Sequence, residues 1–418
     1  MTTVATVASR ARSGQTAFVI AWGFCVVFYF AQYALRSAPG VMIPELTATF
    51  GLSALGVSSL LGLYYYTYST FALVSGASLD RFGAKYVVPA GIVLLAIGAI
   101  LFGLGAMWAA ELGRLLQGAG AAFAFTGAVY LAARGLPAAY LATAVGVTQC
   151  VGMLGGFAGQ VSVAPLIHGP ITWEQFWLYA GCALLILAVL SWLATPGSPA
   201  APATKGSFWS FLAPYKTVLT NPQSYLCGII AGLLFLPTTI YDMIWAVPML
   251  REGFGLDYGP AVHHAAAVPF GWVIGCPLLG YIADKVGRKP VLIAGAALML
   301  LSRIAVLFAP DPEFLWITGL ALGIGSGAAM IPYTVIKEVN PDEVKGSATG
   351  AINFMVFTLS AWAAPAFGAL LMRLEGGGTL SMDVFQRAGV VWVVVIAIAI
   401  ALTFLLRETG VATPRTAR

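Results

Sequence analysis

The chain has 418 residues, of which 60% are hydrophobic and 9% are charged, and its formal net charge is +5. A water-soluble globule of this length needs more polar residues than this to cover its surface, which excludes a soluble protein. The composition instead indicates a protein with many membrane-spanning helices. Because Lys and Arg collect in the loops beside membrane helices, the positive charge is no evidence for nucleic acid as a partner.

Apolar runs of about 20 residues, the length that crosses a lipid bilayer as a helix, recur along the whole chain. We count twelve of them and predict an all-α membrane protein. With the N-terminus inside, fifteen of the 21 Lys and Arg residues fall on the cytoplasmic side. Both termini are therefore predicted to be cytoplasmic, and the first apolar run is interpreted as a retained helix and not a cleaved signal peptide.

Composition divides the chain into five parts. A stretch rich in Pro, Gly, Ser and Ala separates two apolar halves, and short polar tails flank them. The predicted parts are the N-terminal tail 1–16, a six-helix bundle 17–194, a cytoplasmic linker 195–222, a second six-helix bundle 223–407 and the C-terminal tail 408–418. The five cysteines lie in apolar runs without metal-binding spacing. Neither a metal nor a cofactor is expected.

The first apolar run contains Gln32 and Arg36 and is then interrupted by Pro39 and Pro44. A lone guanidinium in hydrocarbon costs roughly 2–4 kcal/mol or more, so Arg36 is expected to face a water-filled cavity or a partner. Its planar fork suits a carboxylate or a phosphate. We predict that Arg36 and Gln32 bind substrate. The alternative is that Arg36 reaches the outer interface or forms a structural pair.

The second run contains a cluster of tyrosines and ends in a charged turn. Tyr64 and Tyr68, four residues apart, share one helix face and are predicted to line a cavity. The turn that follows has the pattern G-x-x-x-D-R-x-G-x-K, from Gly76 to Lys85. The same skeleton, with Lys285 in place of Arg81, recurs 204 residues later, from Gly280. The chain therefore consists of two related halves.

This duplicated turn resembles the loop motif of the major facilitator superfamily of secondary transporters. The resemblance implies two pseudo-symmetric six-helix bundles, a major facilitator fold, and gates that close the cytoplasmic side. Ordinary interfacial turns are the alternative. The first helix resembles that of the organic-anion branch, in which an Arg binds the anionic group, and the halves bear a looser likeness to the lysosomal dipeptide-transporter branch. The implied gating residues are Gly76, Asp80, Arg81, Gly83, Gly280, Asp284, Gly287 and Arg288.

The fourth run resembles a second motif of the superfamily, in which the Arg at the position of Arg114 is tied to proton coupling and helix contact. Its Gly118-x-Gly-Ala-Ala recurs from Gly325, 207 residues later, where Ala321 stands in place of the arginine. We predict a coupling role for Arg114, with a purely structural role as the alternative. The fifth run resembles the antiporter motif of drug exporters but has Gly152 where that motif needs proline, which disfavours an exporter.

The seventh run contains Asp242, which lies 206 residues beyond Arg36. Since this separation is close to the repeat, the two are predicted to face each other across the central pathway, where they could hold a zwitterion or where Asp242 could carry a proton. A salt bridge that merely locks the halves is the alternative. Arg303 is expected to reach outward to the interface. Further cavity residues are predicted at Trp245, Tyr333 and Asn353.

We predict a monomeric secondary transporter in the bacterial inner membrane, with a carboxylate-bearing organic anion as substrate and protons as the coupling ion. A dipeptide or other zwitterion is the next substrate class, followed by a drug or siderophore. A receptor or scaffold of transporter shape is a further alternative. The sequence contains no nucleotide-binding G-x-x-x-x-G-K-(S/T) loop and no H-E-x-x-H or G-x-S-x-G motif, so neither ATP drive nor an enzyme is expected.

Overall fold

The structure is a computed structural model that describes residues 2–197, 208–308, 314–341 and 344–410. Within those ranges, the side chains of residues 2–14, 77, 80, 138–143 and 208–213 lie outside the description. All regular secondary structure in the described ranges is helical.

Six long helices form the N-terminal half. Short helical turns at Ala38–Val41, Ile43–Phe50 and Val163–Ile167 lie between them. The long helices are α1 Thr2–Ser37, α2 Ala54–Phe82, α3 Ala84–Phe102, α4 Met107–Gly135, α5 Ala138–Val161 and α6 Trp173–Ala194.

Six further spans form the C-terminal half, after a linker helix at Phe208–Leu219. The seventh span, α7, begins at Pro222–Leu236 and continues through a π-helix at Pro237–Trp245, a short turn at Ala246–Pro248 and a second π-helix at Met249–Gly253. The others are α8 Tyr258–Ala265 with Ala267–Val286, α9 Arg288–Phe308, α10 Leu315–Ser326 with Ile331–Glu338, α11 Lys345–Glu375 and α12 Met382–Thr403.

Eleven spans in the described chain are long and apolar enough to cross a membrane, and a twelfth is reached when Ile43–Phe50 and Ala54–Gly76, which meet at 109°, count as one. The predicted all-α membrane fold is confirmed. Helix α2 packs along α11, and α5 packs along α8, so these two pairs join the bundles. We call the end with the α2–α3 and α8–α9 turns the terminal face, and the opposite end the distal face.

The internal repeat is visible in the hydrogen bonds of the two motif lysines. The Nζ of Lys85 donates to the carbonyls of Trp192 and Thr195, at 3.1 and 2.9 Å, where α6 ends. The Nζ of Lys289, 204 residues later, donates to the carbonyl of Phe404 at 2.9 Å, where α12 ends. Each lysine binds carbonyls left free at a helix C-terminus, where a cation is stabilised.

The glycine repeat in α10 has a different register from the one predicted. Gly118 of α4 packs against the backbone of Tyr64, and Gly323 of α10 packs against that of Val268. Since Tyr64 and Val268 are 204 residues apart, Gly323 is the structural counterpart of Gly118, and the prediction of Gly325 was wrong by two residues. A Gly-x-Gly pattern begins at both Gly323 and Gly325, so this pattern by itself matches either register.

The corrected register also changes the counterpart of Arg114. Arg114 lies four residues before Gly118, and the residue four before Gly323 is Gly319. Gly319 is therefore the counterpart of Arg114, in place of the predicted Ala321. In both registers the second half lacks an arginine here, so the two related bundles carry different charges at this position.

The close packing of Gly118 generates a prediction about stability. A Cβ added there would overlap the Tyr64 carbonyl, whereas a Cβ at Gly23 of α1 has nothing within 4 Å. We expect Gly118→Ala to lower the free energy of unfolding by about 1–3 kcal/mol through overpacking. Gly23→Ala should leave it unchanged or raise it by up to about 1 kcal/mol, because Ala is the better helix former. Thermal unfolding in detergent measures both, and equal shifts would contradict the packing.

Candidate functional site

Arg36 lies at the end of α1, enclosed by aromatic rings from both bundles. Its side chain is 5% exposed. The guanidinium carbon is 5.0 Å from the ring centre of Tyr33, 5.3 Å from that of Tyr65, 5.1 Å from that of Phe357 and 6.0 Å from that of Tyr64. We call these four residues the Arg36 cage. Tyr33, Tyr64 and Tyr65 come from the N-terminal bundle and Phe357 from α11, so the site spans the seam between the bundles.

The guanidinium of Arg36 has unused hydrogen-bonding capacity. Its Nε and both terminal nitrogens are buried, and none has a hydrogen-bond partner within the described residues. The ring faces offset part of the cost of the buried charge. Ring faces are much weaker acceptors than oxygen atoms, and a buried donor without a strong acceptor is unfavourable. The cage therefore holds a cation that is suited to receive an anion.

Gln32 and Tyr68 adjoin the cage through Tyr64. The Tyr64 hydroxyl donates to Gln32 Oε1 at 2.9 Å, and the rings of Tyr64 and Tyr68 stack with centres 5.7 Å apart. The Nε2 of Gln32 is buried with no partner in the part of the chain that the structure describes. It is a second unused donor, one helical turn before Arg36.

Tyr333 and Asn353 lie on the C-terminal side of the same region. The Tyr333 hydroxyl donates to Asn353 Oδ1 at 2.8 Å. The ring of Phe235 connects them to the cage, since its centre is 6.3 Å from that of Tyr333 and 6.0 Å from that of Phe357. The structure thus brings six of the predicted substrate-binding residues into one region at the seam: Gln32, Arg36, Tyr64, Tyr68, Tyr333 and Asn353.

A cavity of about 290 Å³ opens between the bundles toward the terminal face. Helices α5 and α8 touch at Phe157 and Phe270, whose ring centres are 5.3 Å apart, and both helices line the cavity beyond this contact. Tyr333 lies on its wall. The polar wall residues include Gln149, Asp284, Arg288, Thr334 and Lys337. The cavity therefore connects the region of Tyr333 with the charged terminal face.

The distal face is closed by contacts across the seam. The indole Nε1 of Trp245 donates to Ser58 Oγ at 3.1 Å, and the Tyr258 hydroxyl donates to the carbonyl of Val41. Trp245 is 1% exposed. The structure places this predicted substrate residue in the distal seal and not in the Arg36 cage.

Asp242 does not face Arg36. Both of its carboxylate oxygens accept hydrogen bonds from the same terminal nitrogen of Arg303 on α9, at 2.7 and 2.8 Å. Arg303 is 1% exposed, so the expectation that it reaches outward was wrong. The predicted placement of Asp242 opposite Arg36 is likewise not found, and the alternative of a salt bridge between the two is not formed either. Asp242 lies in the π-helix Pro237–Trp245, which has more residues per turn than an α-helix, so the repeat register does not give the direction of its side chain.

Arg114 lies on the other side of Tyr64. One terminal nitrogen donates to Gln117 Oε1 at 2.7 Å, and the other donates to the carbonyl of Leu61 at 3.3 Å. Its guanidinium carbon is 5.0 Å from the ring centre of Tyr64. The guanidinium carbon of Arg36 is 6.0 Å from the same ring centre. Tyr64 therefore contacts two cations. The terminal nitrogens of Arg114 are hydrogen-bonded, whereas those of Arg36 have no partner within the described residues.

The buried charges in the described chain leave the interior positive. They are Arg36, Arg114, Asp242 and Arg303. Asp242 and Arg303 neutralise each other, and no other buried carboxylate occurs among these described residues to balance Arg36 and Arg114. An enclosed region with this excess of positive charge attracts anions.

The second copy of the gating motif forms a charge network at the terminal face. Arg288 binds Asp284 at 2.5 Å and Glu338 at 2.8 Å. The carboxylate of Glu408, beyond α12, accepts hydrogen bonds from the backbone N–H groups of Arg288 and Lys289 at 2.8 and 2.9 Å. Glu408 thereby occupies the N-terminus of α9, where a negative charge is stabilised.

The two motif turns share their backbone geometry. Gly83 and Gly287 have φ angles of 75° and 122°, which disfavour any side chain, so glycine is required at both turns. Gly76 and Gly280 have open space around the position of a Cβ. Neither glycine is therefore needed for close packing in this arrangement of the bundles, and the gating role of this pair stays a prediction.

The first copy of the motif is described less fully. Arg81 is exposed, with its guanidinium carbon 5.4 Å from the ring centre of Phe82. The side chain of Asp80 lies outside the described residues. Its predicted gating role therefore stays a prediction.

Sequence reasoning missed Tyr33, Tyr65 and Phe357 as neighbours of Arg36. Tyr33 precedes Arg36 by three residues and Phe357 follows Asn353 by four, the spacings that place side chains on one helix face. These spacings were a usable signal for Tyr33 and Phe357. The sequence carries no comparable signal for Tyr65, because it lies among consecutive tyrosines that point around the whole helix.

The twelve spans, the repeat and the cavity at the seam define a polytopic membrane protein of the transporter class. A profile of the Major Facilitator Superfamily matches residues 25–276 and 240–418. The chain belongs to this superfamily, as the motifs suggested.

Three similar proteins illustrate the breadth of the relationship. The chain is 24% identical to the membrane sensor protein UhpC of Escherichia coli (strain K12), over 95% of this chain and 92% of that protein. It is 30% identical to the 4-hydroxybenzoate transporter PcaK of Pseudomonas aeruginosa, over 40% of this chain and 38% of that protein. A solved bacterial homologue of the human lysosomal transporter Spinster, in an inward-facing and unoccupied conformation, superposes with a TM-score of 0.76 at 16% identity, covering 93% and 97% of the two chains. That likeness supports the fold.

The buried pair gives a prediction that a double-mutant cycle can test. Asp242→Asn alone leaves Arg303 charged and unpaired, and we expect it to lower the free energy of unfolding by about 3–5 kcal/mol. The double variant Asp242→Asn with Arg303→Gln should recover most of that loss. The exposed pair Asp383–Arg387, 2.7 Å apart, is the control, and breaking it should cost at most about 1 kcal/mol. Additive losses in the buried pair would contradict the coupling.

The contacts of Glu408 give a prediction about pH. Burial opposes ionisation, but hydrogen bonds from the backbone N–H groups of Gly410, Arg288 and Lys289 outweigh it and lower the pKa of Glu408 below its ordinary 4.5. Because the pKa is lowered, the contact of Glu408 with the N-terminus of α9 is stabilised above pH 4.5. This stabilisation is lost as the pH falls through the lowered pKa.

Amide hydrogen exchange measures this effect as protection factors at Arg288, Lys289 and Gly410. We expect protection at pH 7 and its loss in acid. Glu408→Gln should remove the protection already at pH 7, while Glu252→Gln on the distal face should not change it. Protection in the Glu408→Gln variant equal to that of the unmodified protein would contradict the proposed docking.

Proposed function

We propose that this chain is a secondary active transporter of a carboxylate-bearing organic anion, driven by protons. The observation that carries the proposal is the buried guanidinium of Arg36, whose three nitrogens have no hydrogen-bond partner in the described chain. A carboxylate can accept two parallel bonds from such a fork, and the geometry fits carboxylate better than it fits a neutral solute. Binding an anion would satisfy donors that the folded protein leaves unsatisfied.

The arrangement of the bundles supports alternating access. The Arg36 cage takes residues from both bundles, a cavity opens on the terminal side of the seam, and Trp245 and Tyr258 close the distal side. Rocking the bundles about the cage would break the distal contacts and close the cavity. We propose that the terminal face is cytoplasmic, since most Lys and Arg residues lie there, and that the protein acts as a monomer in a bacterial inner membrane.

We propose Asp242 as the proton carrier, with Arg114 contributing to coupling. Asp242 is the one buried carboxylate among the described residues, and its protonation would release Arg303. Arg114 shares the ring of Tyr64 with Arg36, so a change at either cation alters the surroundings of the other. The gating motif at Asp284 and Arg288 would open and close the terminal side.

One observation disfavours a zwitterion transporter, and another favours a membrane receptor. A dipeptide or other zwitterion would need a carboxylate beside Arg36 to hold its ammonium group. Asp242 binds Arg303 instead, which disfavours this class. A membrane receptor is favoured by the similarity to the sensor protein UhpC over 95% of the chain. A receptor would bind its ligand without moving it across the membrane.

Counterflow in liposomes tests the proposal. Benzoate, malate and gluconate, each radiolabelled, are assayed at pH 7.5, and protein-free liposomes correct for passive diffusion. We expect saturable counterflow of at least one acid. In Arg36→Gln it should fall about 10- to 100-fold, because hydrogen bonds to a charged group are lost. The control Arg387→Gln should keep full activity. Saturable binding without counterflow would establish the receptor instead.

Proton coupling is tested with the double variant Asp242→Asn and Arg303→Gln, which removes both charges of this buried pair and is expected to recover most of the stability that Asp242→Asn alone loses. We expect it to retain counterflow and to lose accumulation driven by an imposed proton gradient. Accumulation equal to that of the unmodified protein would remove Asp242 from the coupling mechanism.

A further inference from the structure

We propose that the anion received by Arg36 carries an aromatic ring, so that the site selects planar aromatic monocarboxylates. This inference rests on the proposed function and names its substrate class. Three observations carry it: the aromatic walls around Arg36, the small number of hydrogen-bond donors there that lack a partner, and the hydrogen bonds that already occupy the terminal nitrogens of Arg114.

The walls around Arg36 are aromatic well beyond the four rings of the cage. Phe357 lies 4.4 Å from Tyr68 and 6.0 Å from Phe235, measured between ring centres. Phe235 in turn lies 5.0 Å from Trp272. Faces and edges of rings attract other rings in stacked or edge-on arrangements. A ligand held at Arg36 therefore meets a surface that favours a flat, polarisable ring.

The hydrogen-bonding groups beside the cage are mostly engaged within the protein. The Tyr64 hydroxyl binds Gln32 Oε1, the Tyr333 hydroxyl binds Asn353 Oδ1, and the Tyr65 hydroxyl donates to the carbonyl of Thr239 at 3.3 Å. The donors without a partner that face the cage itself, among the described side chains, are the three nitrogens of Arg36 and Gln32 Nε2; beyond the cage rings, Arg114 Nε and Trp272 Nε1 are also buried without a partner. The donors at the cage suffice for one carboxylate, whereas a sugar needs a partner for each hydroxyl.

The charges favour one anionic group and not two. Arg114 is the second unneutralised cation, but its terminal nitrogens are bonded to Gln117 and Leu61, and the ring of Tyr64 separates it from Arg36. A second carboxylate, or the second charge of a phosphate, would have no free guanidinium. The site therefore matches a monoanion.

Phe357 is the specificity-determining residue on the C-terminal bundle. Its ring is parallel to that of Tyr65 within 3°, with centres 6.0 Å apart, and both rings flank Arg36. Tyr65 belongs to α2 and Phe357 to α11. A ligand ring that packs against Phe357 while its carboxylate binds Arg36 would contact both bundles, so recognition of the ring is coupled to their relative position.

The test compares benzoate with cyclohexanecarboxylate, which has the same carbon count and the same carboxylate but a saturated, non-planar ring. Calorimetric titration of the purified full-length protein measures both dissociation constants. We expect benzoate to bind about two- to tenfold more tightly, from the stacking advantage of aromatic pairs. Phe357→Leu should abolish this preference, Phe357→Tyr should keep it, and the exposed control Phe314→Leu should not alter it.

The outcomes separate this inference from the proposed function. Equal affinities for the two acids, or tighter Arg36-dependent binding of gluconate, succinate or glycerol 3-phosphate, would overturn the aromatic class and leave an anion transporter. Binding of no acid in this set, or binding unchanged in Arg36→Gln, would overturn the anion site and this inference together. A preference for benzoate that persists in Phe357→Leu would overturn the assignment of Phe357.

Discussion

The organisation of this protein depends on a positive charge that is buried at the seam of two bundles without a carboxylate beside it. A guanidinium away from water is costly unless acceptors surround it, and Arg36 has ring faces in place of acceptors. The rings lower the cost of the empty site while leaving the N–H groups free. The proposed anion would add hydrogen bonds that the protein alone does not make, and a transporter could use this difference to bind and release its cargo.

The two related halves use their buried charges differently. In the C-terminal half, Asp242 and Arg303 form a closed pair within one bundle. In the N-terminal half, Arg36 and Arg114 flank Tyr64 without a buried carboxylate among the described residues. The first arrangement neutralises charge, as the proposed proton carrier requires, whereas the second leaves a positive excess, as the proposed anion site requires. The duplicated scaffold thus separates the proposed coupling site from the proposed substrate site.

The ends of the pathway are held by contacts of different strength. At the distal face the seam contains the hydrogen bond of Trp245 to Ser58, in a buried, well-packed environment. At the terminal face, Arg288 and Glu408 belong to a network of partly exposed charges. Exposed ion pairs contribute little free energy each and are weakened by salt. The terminal network can therefore reorganise at low cost, as a gate requires.

Local patterns in the sequence determined the membrane class, the twelve spans and the duplication, and they singled out Arg36 as a buried charge. Hydrophobic length, the cost of burying a charge and the backbone freedom of glycine act on neighbouring residues, so they can be recognised in a linear chain. Only the tertiary structure decided that Asp242 binds Arg303, that Trp245 belongs to the distal seal and that Phe357 completes the cage. These contacts join residues far apart in the chain, and a π-helix in α7 redirects the side chains that the repeat would otherwise have aligned.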